Sequence, residues 1–258
     1  MPKLTIIKIG GAIIENNEKL LPFLADFTAI KGPKILVHGG GKRATSWAKK
    51  LGIPVQMKDG RRITDAATLE LITGLYAGQV NKSIVVQLQG EGCNALGVSG
   101  ADANLIQAVK RPIKAIDYGF VGDVTKVNSA QIEVFLHQGI SPVFCAITHD
   151  KKGQLFNTNA DTITAEIGKA LSKNYEVKIC YCFELPGVMK DINDPNSLIE
   201  KITQTSYQEL LLNNTISAGM LPKLHNAFDA LLAGVKEVAI GETKMINRNL
   251  PYTSITLQ

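Results

Sequence analysis

Strand-like and helix-like segments alternate along this chain of 258 residues, which predicts an α/β fold around a mostly parallel sheet. Short apolar runs at 4–9, 34–37, 141–147, 177–182 and 235–240 have the near-continuous hydrophobicity of strands covered on both faces. Between them, apolar residues recur at 3.6-residue spacing, the mark of amphipathic helices. Glycine turns follow the first two strands, in Lys8-Ile-Gly-Gly11 and His38-Gly-Gly-Gly41.

Composition narrows the function classes. Hydrophobic residues are 45% and charged residues 20% of the chain, an ordinary globular balance, and the length allows one large or two modest domains. No apolar run approaches the ~20 residues that span a bilayer, and the start shows no signal-peptide pattern. A cytoplasmic protein with no membrane partner is expected. The net charge of +5 comes from scattered basic residues without interleaved aromatics, which argues against nucleic acid and fits an anionic small molecule. Four cysteines and four histidines show no metal-ligand spacing, so no metal site is expected and the cysteines read as buried, reduced thiols.

A lysine interrupts the first run one residue before its end. Lys8 in an apolar strand is costly unless it reaches a polar cavity at the strand's carboxyl end. Gly10 and Gly11 then allow a close backbone approach and present bare N–H groups to an anion. The two readings are a phosphate site and a snorkelling lysine before an ordinary turn. Residues 16–31 read as a helix stopped at Gly32-Pro33. The triple glycine after His38 precedes a helix over 44–51, where N–H groups and the dipole favour an anion; a loose connection is the alternative, against the entropy cost of three glycines.

Asp59-Gly60 signals a hairpin, after which alternation sends Arg61 and Arg62 to opposite faces, one to solvent and one free to grip a carboxylate. Thr64-Asp65 caps a helix over 66–88, bent at Gly74 and Gly78, whose apolar stripe is core or subunit interface. A strand at 95–98, a glycine-rich β-ribbon over 105–109 and 116–124 that could lie over a ligand, and a helix at 129–138 follow. In Asn157-Thr-Asn159-Ala-Asp161, Asp161 is placed to N-cap a helix over 162–171, while Asn157 and Asn159 approach it in extended chain. After the strand at 177–182 come Phe183 and Glu184, a strand at 199–203, a helix at 206–212 and a helix opened by Pro222. Lys223 then sits in a first turn, where the dipole disfavours a cation; an anionic partner or plain solvation accounts for it. The tail from 242 to 258 has no clear pattern.

Taken in order, these pieces resemble the amino acid kinase family, and within it the acetylglutamate kinases, over about residues 4–240. The resemblance rests on Lys8-Ile-Gly-Gly11, His38-Gly-Gly-Gly41, Gly60-Arg-Arg62-Ile-Thr64, Gly119-Phe-Val-Gly122-Asp, Asn157-Thr-Asn159-Ala-Asp161 and Gly219-Met-Leu-Pro-Lys223. It implies a three-layer αβα sandwich with a mostly parallel central sheet. A single domain would span 1–258, with an N-terminal acyl-amino-acid lobe (about 1–170) and a C-terminal ATP lobe (about 171–258). The implied reaction is ATP-dependent phosphorylation of the γ-carboxylate of an N-acylated L-glutamate, in arginine biosynthesis. Lys8 and Lys223 would stabilise the transferring phosphoryl group and Asp161 would hold both lysines. Gly40, Gly41, Arg62, Asn157 and Asn159 would bind the substrate. Gly10, Gly11, Glu184, Leu185, Gly187, Val188, Met189, Thr215, Ile216 and Ser217 would form the ATP site, with Mg²⁺ carried by the nucleotide.

Glu184 departs from the family, which usually carries an aspartate there, and Gly241-Glu-Thr-Lys-Met-Ile246 matches the family's Gly-Thr ending only loosely. Arginine-inhibited members carry an additional N-terminal helix; only seven residues precede Lys8, so a homodimer insensitive to arginine is expected. The acyl group is acetyl or succinyl, and Lys114 and Lys126 near the ribbon are candidate partners for a succinyl carboxylate. The competing readings are a sister kinase acting on carbamate, glutamate, aspartate or a nucleoside monophosphate, and a catalytically silent amino-acid sensor.

Overall fold

Leu4, Ile6, Ile7 and Ile9 expose no surface; their strand, β1 (Lys3–Ile9), is buried on both faces. The structure, a computed structural model, describes residues 1–58, 60–213, 220–247 and 250–258. After β1 come a short helix α1 (Gly11–Ile14), α2 (Asn17–Ala29), β2 (Lys34–His38) and α3 (Gly41–Lys50). A ribbon of β3 (Met57–Lys58) and β4 (Arg61–Arg62) leads into a long helix in three parts: α4 (Ala66–Thr73), a π-helical stretch Gly74–Val80, and α5 (Asn81–Gly90). Next are β5 (Ala95–Val98), β6 (Ile106–Lys110), β7 (Gly122–Val127), α6 (Ser129–His137), β8 (Ser141–Phe144), β9 (Ile147–His149) and β10 (Leu155–Asn157). The chain continues through α7 (Ala160–Leu171), β11 (Glu176–Phe183), β12 (Lys201–Ile202), α8 (Gln204–Leu212), α9 (Leu221–Leu232), β13 (Glu237–Glu242) and β14 (Thr253–Ile255).

Eight strands form the main sheet in the order β12-β14-β13-β11-β1-β2-β8-β5. Every neighbouring pair is parallel except β13 with β14. Helices contact one another in two groups, α6 and α9 with α7, and α1 and α5 with α2, one group over each face. The expected mostly parallel αβα arrangement is therefore present. From β1 the chain steps to β2 on one side and later returns to β11 on the other. The strand order reverses at β1, and the crevice beyond the carboxyl ends at such a point is where open α/β sheets bind ligands. A second sheet, β10-β9-β6-β7, stands beside the first.

Several local expectations are refined. Asp65 is the N-cap of α4, accepting from the Thr68 N–H at 2.8 Å. The bend expected at Gly74 and Gly78 is instead the π-helical stretch. The apolar stripe of this helix (Ile72, Leu75, Tyr76, Val80, Ile84, Leu88) is buried within the chain, so it is core. Of the predicted second ribbon strand at 116–124 only 122–124 pairs with β6, in a strand that runs on to Val127 with a register shift at Gln107/Ala108; residues 116–121 carry glycine at φ +69° (Gly119) and hold to Thr64 through backbone bonds. The predicted strand at 141–147 divides, β8 staying in the main sheet and β9 turning into the second. The patternless tail contains β14, which is inserted between β13 and β12. All four cysteines are buried and free, and burial pushes the Cys145 and Cys180 thiols up to about 12, as expected of inert core thiols. No helix among the described residues is long and apolar enough to cross a membrane.

Candidate active site

β1 delivers Lys8 one residue before its end, in register with Tyr181 of β11 and Val37 of β2. α7 opens at the same edge, and here the expected cap is corrected. The N-cap of α7 is Asn159, whose Oδ1 accepts from the N–H groups of Asp161 (2.7 Å) and Thr162 (3.2 Å). Asp161 lies one position inside the helix, where the N-terminal dipole favours a carboxylate. Its side chain is free of capping and buried. Asparagine caps as well as aspartate does, so local chemistry did not distinguish them.

The freed carboxylate joins two lysines from opposite ends of the chain. Lys8 Nζ lies 2.8 Å from Asp161 Oδ1, and Lys223 Nζ lies 2.9 Å from Oδ2. The Lys223 contact is a well-directed hydrogen bond. The Lys8 contact is a close ion pair without hydrogen-bond alignment at Oδ1. Burial pushes the Asp161 carboxyl up, yet the charges of Lys8 and Lys223, with their hydrogen-bonding reach, outweigh it and hold the group at about 2. One buried negative charge between two ammonium groups leaves the cluster with a net positive charge at the sheet's carboxyl edge. Lys223 is in the first turn of α9 (Leu221–Leu232), as the sequence predicts; Asp161 is the anion that offsets its unfavourable place on the dipole.

A cavity of about 400 Å³ opens beside this cluster, lined by Gly39 to Gly41, Arg62, Tyr76, Arg111, Asn157 and Asn159. Gly40 is the N-cap of α3 and Gly41 its first residue, so the helix begins three residues earlier than its apolar pattern indicated. A Cβ on Gly40 would stand 2.6 Å from the Tyr76 ring, so only glycine fits. The Arg pair divides as alternation predicts: Arg61 is exposed and Arg62 buried. Arg62 Nη2 donates to the Gly41 carbonyl (3.0 Å) and the Thr45 hydroxyl (2.7 Å). Asn157 Nδ2 donates to Thr64 Oγ1 at 3.0 Å. The other glycine turn is adjacent, with a Cβ on Gly11 lying 3.6 Å from the Lys42 amide nitrogen.

The remaining sequence-predicted residues lie elsewhere on the same edge. Glu184 is half-exposed and pairs with Lys19 at 2.9 Å, with Lys42 at 3.9 Å. Gly187 and Val188 are buried against β14: a Cβ on Gly187 would run into Thr253 Oγ1, and the Val188 N–H donates to that hydroxyl at 2.7 Å. Met189 bridges to Leu198, and Leu185 is partly exposed. Thr215, Ile216 and Ser217 lie outside the described residues. Among the described residues no group of three or more His, Cys, Asp or Glu side chains could hold a metal. Sequence reasoning missed Tyr76 and Arg111, which both line the cavity. Tyr76 hid within an apolar stripe, and Arg111 follows β6 with no motif around it.

The sequence pattern of the amino acid kinase family matches residues 3–242. This chain belongs to the amino acid kinase family. Its relatives in the family include the acetylglutamate kinase of Bacteroides thetaiotaomicron, 51% identical over 247 residues and covering 96% of both chains. The acetylglutamate kinase of Phocaeicola vulgatus is 52% identical over 245 residues, 95% of each chain. A crystal structure from Streptococcus mutans UA159 superposes over 100% of both chains with a TM-score of 0.83 at 27% identity. The family match ends before β14, while the likeness to the Streptococcus mutans structure extends over the whole sheet, β14 included.

Proposed function

We propose that this chain transfers the γ-phosphoryl group of ATP to the γ-carboxylate of N-acetyl-L-glutamate, giving N-acetylglutamyl 5-phosphate in arginine biosynthesis. The observation that carries this reading is the meeting of Lys8 and Lys223 on Asp161, beside a cavity bordered by a glycine turn. Full-length relatives at about 50% identity named acetylglutamate kinase support the choice of substrate.

A carboxylate oxygen attacks the γ-phosphorus as the bond to the ADP oxygen breaks. The attacking group is already ionised, so no protein base is required. What the protein must supply is in-line placement and neutralisation of charge. Lys8 and Lys223 serve as the neutralising cations, and Asp161 keeps both in one place. Gly40 and Gly41 offer backbone N–H groups to the reacting oxygens, with Gly10 and Gly11 on the nucleotide side. Arg62, Asn157 and Asn159 orient the acyl-amino acid. The cavity lining falls entirely within residues 39–160, which supports an acyl-amino-acid lobe over about 1–170. The nucleotide then belongs to the lobe over about 171–258, on Glu184, Leu185, Gly187, Val188 and Met189 with Thr215 to Ser217. Mg²⁺ carried by ATP would neutralise phosphate oxygens; the donors around the cluster are ammonium and N–H groups, which fit the nucleotide's anionic oxygens.

We assign a homodimer to the outer edge of the sheet. β5 is an edge strand, and Leu96 on it and Val86 on α5 are exposed, an apolar edge that a second copy would cover. A cytoplasmic setting fits a chain without a membrane-crossing helix among its described residues.

One observation favours a second acyl group. A hollow of about 490 Å³ adjoins the cavity, sharing Arg61 and Arg111 with it and including Lys114. Arg111 pairs with Asp123 at 2.6 Å, yet its buried Nη1 has no partner among the described residues. A succinyl carboxylate would satisfy that donor. Lys126, on β7, is not part of this hollow. ADP release from ATP and Mg²⁺ with acetylglutamate, succinylglutamate, glutamate, carbamate and UMP tests all readings. Turnover with acetylglutamate is expected; faster turnover with succinylglutamate transfers the assignment to that substrate, and none with any acceptor leaves the silent sensor.

A further inference from the structure

We propose that His38 is a positioning residue for phosphoryl transfer, its imidazole setting the direction of the Gly39–Gly40 peptide, with Asn81 setting the imidazole. The inference rests on the kinase reading and adds to it residues that do not touch the reacting atoms.

His38 ends β2 with no exposed surface. Its Nδ1 lies 2.8 Å from the Gly39 carbonyl oxygen and its Nε2 lies 3.0 Å from Asn81 Nδ2. The Asn81 amide has one consistent orientation: Nδ2 also donates to the Val143 carbonyl at 2.9 Å, while Oδ1 accepts from Lys82 Nζ at 3.1 Å. An amide nitrogen only donates, so Nε2 must accept and the single ring proton resides on Nδ1, where it is donated to Gly39. Burial reinforces this neutral tautomer, lowering the imidazole to about 4.

The consequence lies in the next peptide. A trans peptide is planar, with C=O and N–H antiparallel. Holding the Gly39 carbonyl against the imidazole turns the Gly40 N–H to the opposite side of that peptide; Gly39 to Gly41 line the cavity, and we assign this N–H to it. Gly41 is held separately, its carbonyl accepting from Arg62 at 3.0 Å.

The π-helical stretch gives this arrangement its support. Tyr76 and Asn81 are five residues apart, which on a regular α-helix would place them about 140° apart around the axis. A π turn, with its i to i+5 bonding, brings such a pair onto one side. Here both reach the same loop, the Tyr76 ring against Gly40 and the Asn81 amide against His38. π-Helical turns of this kind often occur at functional sites.

Two substitutions separate the hydrogen bond from the bulk of the ring. An asparagine amide nitrogen is two bonds from Cβ, as Nδ1 is; a glutamine amide nitrogen is three bonds away, as Nε2 is. We expect H38N to retain kcat within about fivefold of wild type, and H38Q to lose on the order of 100-fold in kcat with KM for the acyl-glutamate little changed, as for a misplaced oxyanion donor. Equal kcat in the two variants overturns the proposal. The unliganded wild-type protein gives an independent answer: ¹⁵N NMR of the imidazole at neutral pH should show a protonated Nδ1 and a bare Nε2. The opposite tautomer, or an imidazolium, overturns the proposal even if a variant fails to fold. Absence of kinase turnover by the wild type would instead sink the kinase reading, while the NMR result still decides whether His38 holds Gly39.

Discussion

Gly10-Gly11 and Gly39-Gly40-Gly41 each follow a buried parallel strand and each open a helix at the same edge of the sheet, but their surroundings differ. The first turn leads into a helix of four residues, and a methyl group on Gly10 or Gly11 would meet nothing closer than 3.6 Å. The second is held by His38 on one carbonyl, Arg62 on another and the Tyr76 ring on the glycine between them. The first is organised by charge, from Lys8 at the end of its strand. The second is organised by packing and directed hydrogen bonds from β2, β4 and the π-helical stretch. A mobile polyanion needs the former, since ammonium groups tolerate small displacements; fixing an N–H vector requires the latter, because hydrogen bonds weaken steeply when misdirected.

Substitution at the charged cluster should have the largest effect. Lys8→Ala or Lys223→Ala should lower kcat by at least 100-fold, on the scale of losing a charge-stabilising donor, in an ADP-release assay. Near-normal rates would break the division between the two turns. Acid comes next. His38 is held at about 4 against an ordinary 6.5. Its folded pKa is depressed, so the folded state resists protonation that the unfolded chain accepts, and stability falls as pH drops from 6.5 toward 4. The loss is on the order of 3 kcal/mol, visible in urea unfolding across that range and much reduced in His38→Asn. Asp161, held at about 2 against 3.8, follows the same sign in a lower window: its contribution is present above 3.8 and is lost as pH falls toward 2. An Asp161→Asn variant should show a flatter dependence there.

Packing predictions are smaller and sharpen the contrast directly. Gly40→Ala places a methyl group 2.6 Å from the Tyr76 ring and should destabilise by about 1–3 kcal/mol. Gly41→Ala meets nothing within 4 Å and should change stability by less than about 1 kcal/mol. Equal thermal unfolding of the two would show that the second turn is less confined than its geometry indicates. The smallest effect belongs to Glu184→Gln. The hydrogen bond from Lys19 holds this exposed carboxyl below its usual range, but solvent-exposed pairs contribute only ~0–1 kcal/mol.

Local features were legible in the order of the residues. Apolar runs located the core strands, glycine turns marked the ligand edge, alternation separated Arg61 from Arg62, and Asp65 was recognised as a cap. These depend on chain stereochemistry and on neighbours within a few residues, which a sequence displays directly. Asp161 shows where local legibility ended: as a helix-start aspartate it read as a cap, its pairing with two lysines was implied by the family resemblance alone, and the packing of α7 against β1 and α9 is what brings Lys8 and Lys223 to it. The division of 141–147 between two sheets, and the pairing of β14 far from its neighbours in sequence, were likewise settled by tertiary contacts. His38 and Asn81 stand 43 residues apart, and nothing in either segment encodes their meeting. A bond across such a separation depends on where whole elements come to rest, because burial and charge pairing are properties of the assembled core and not of the chain alone.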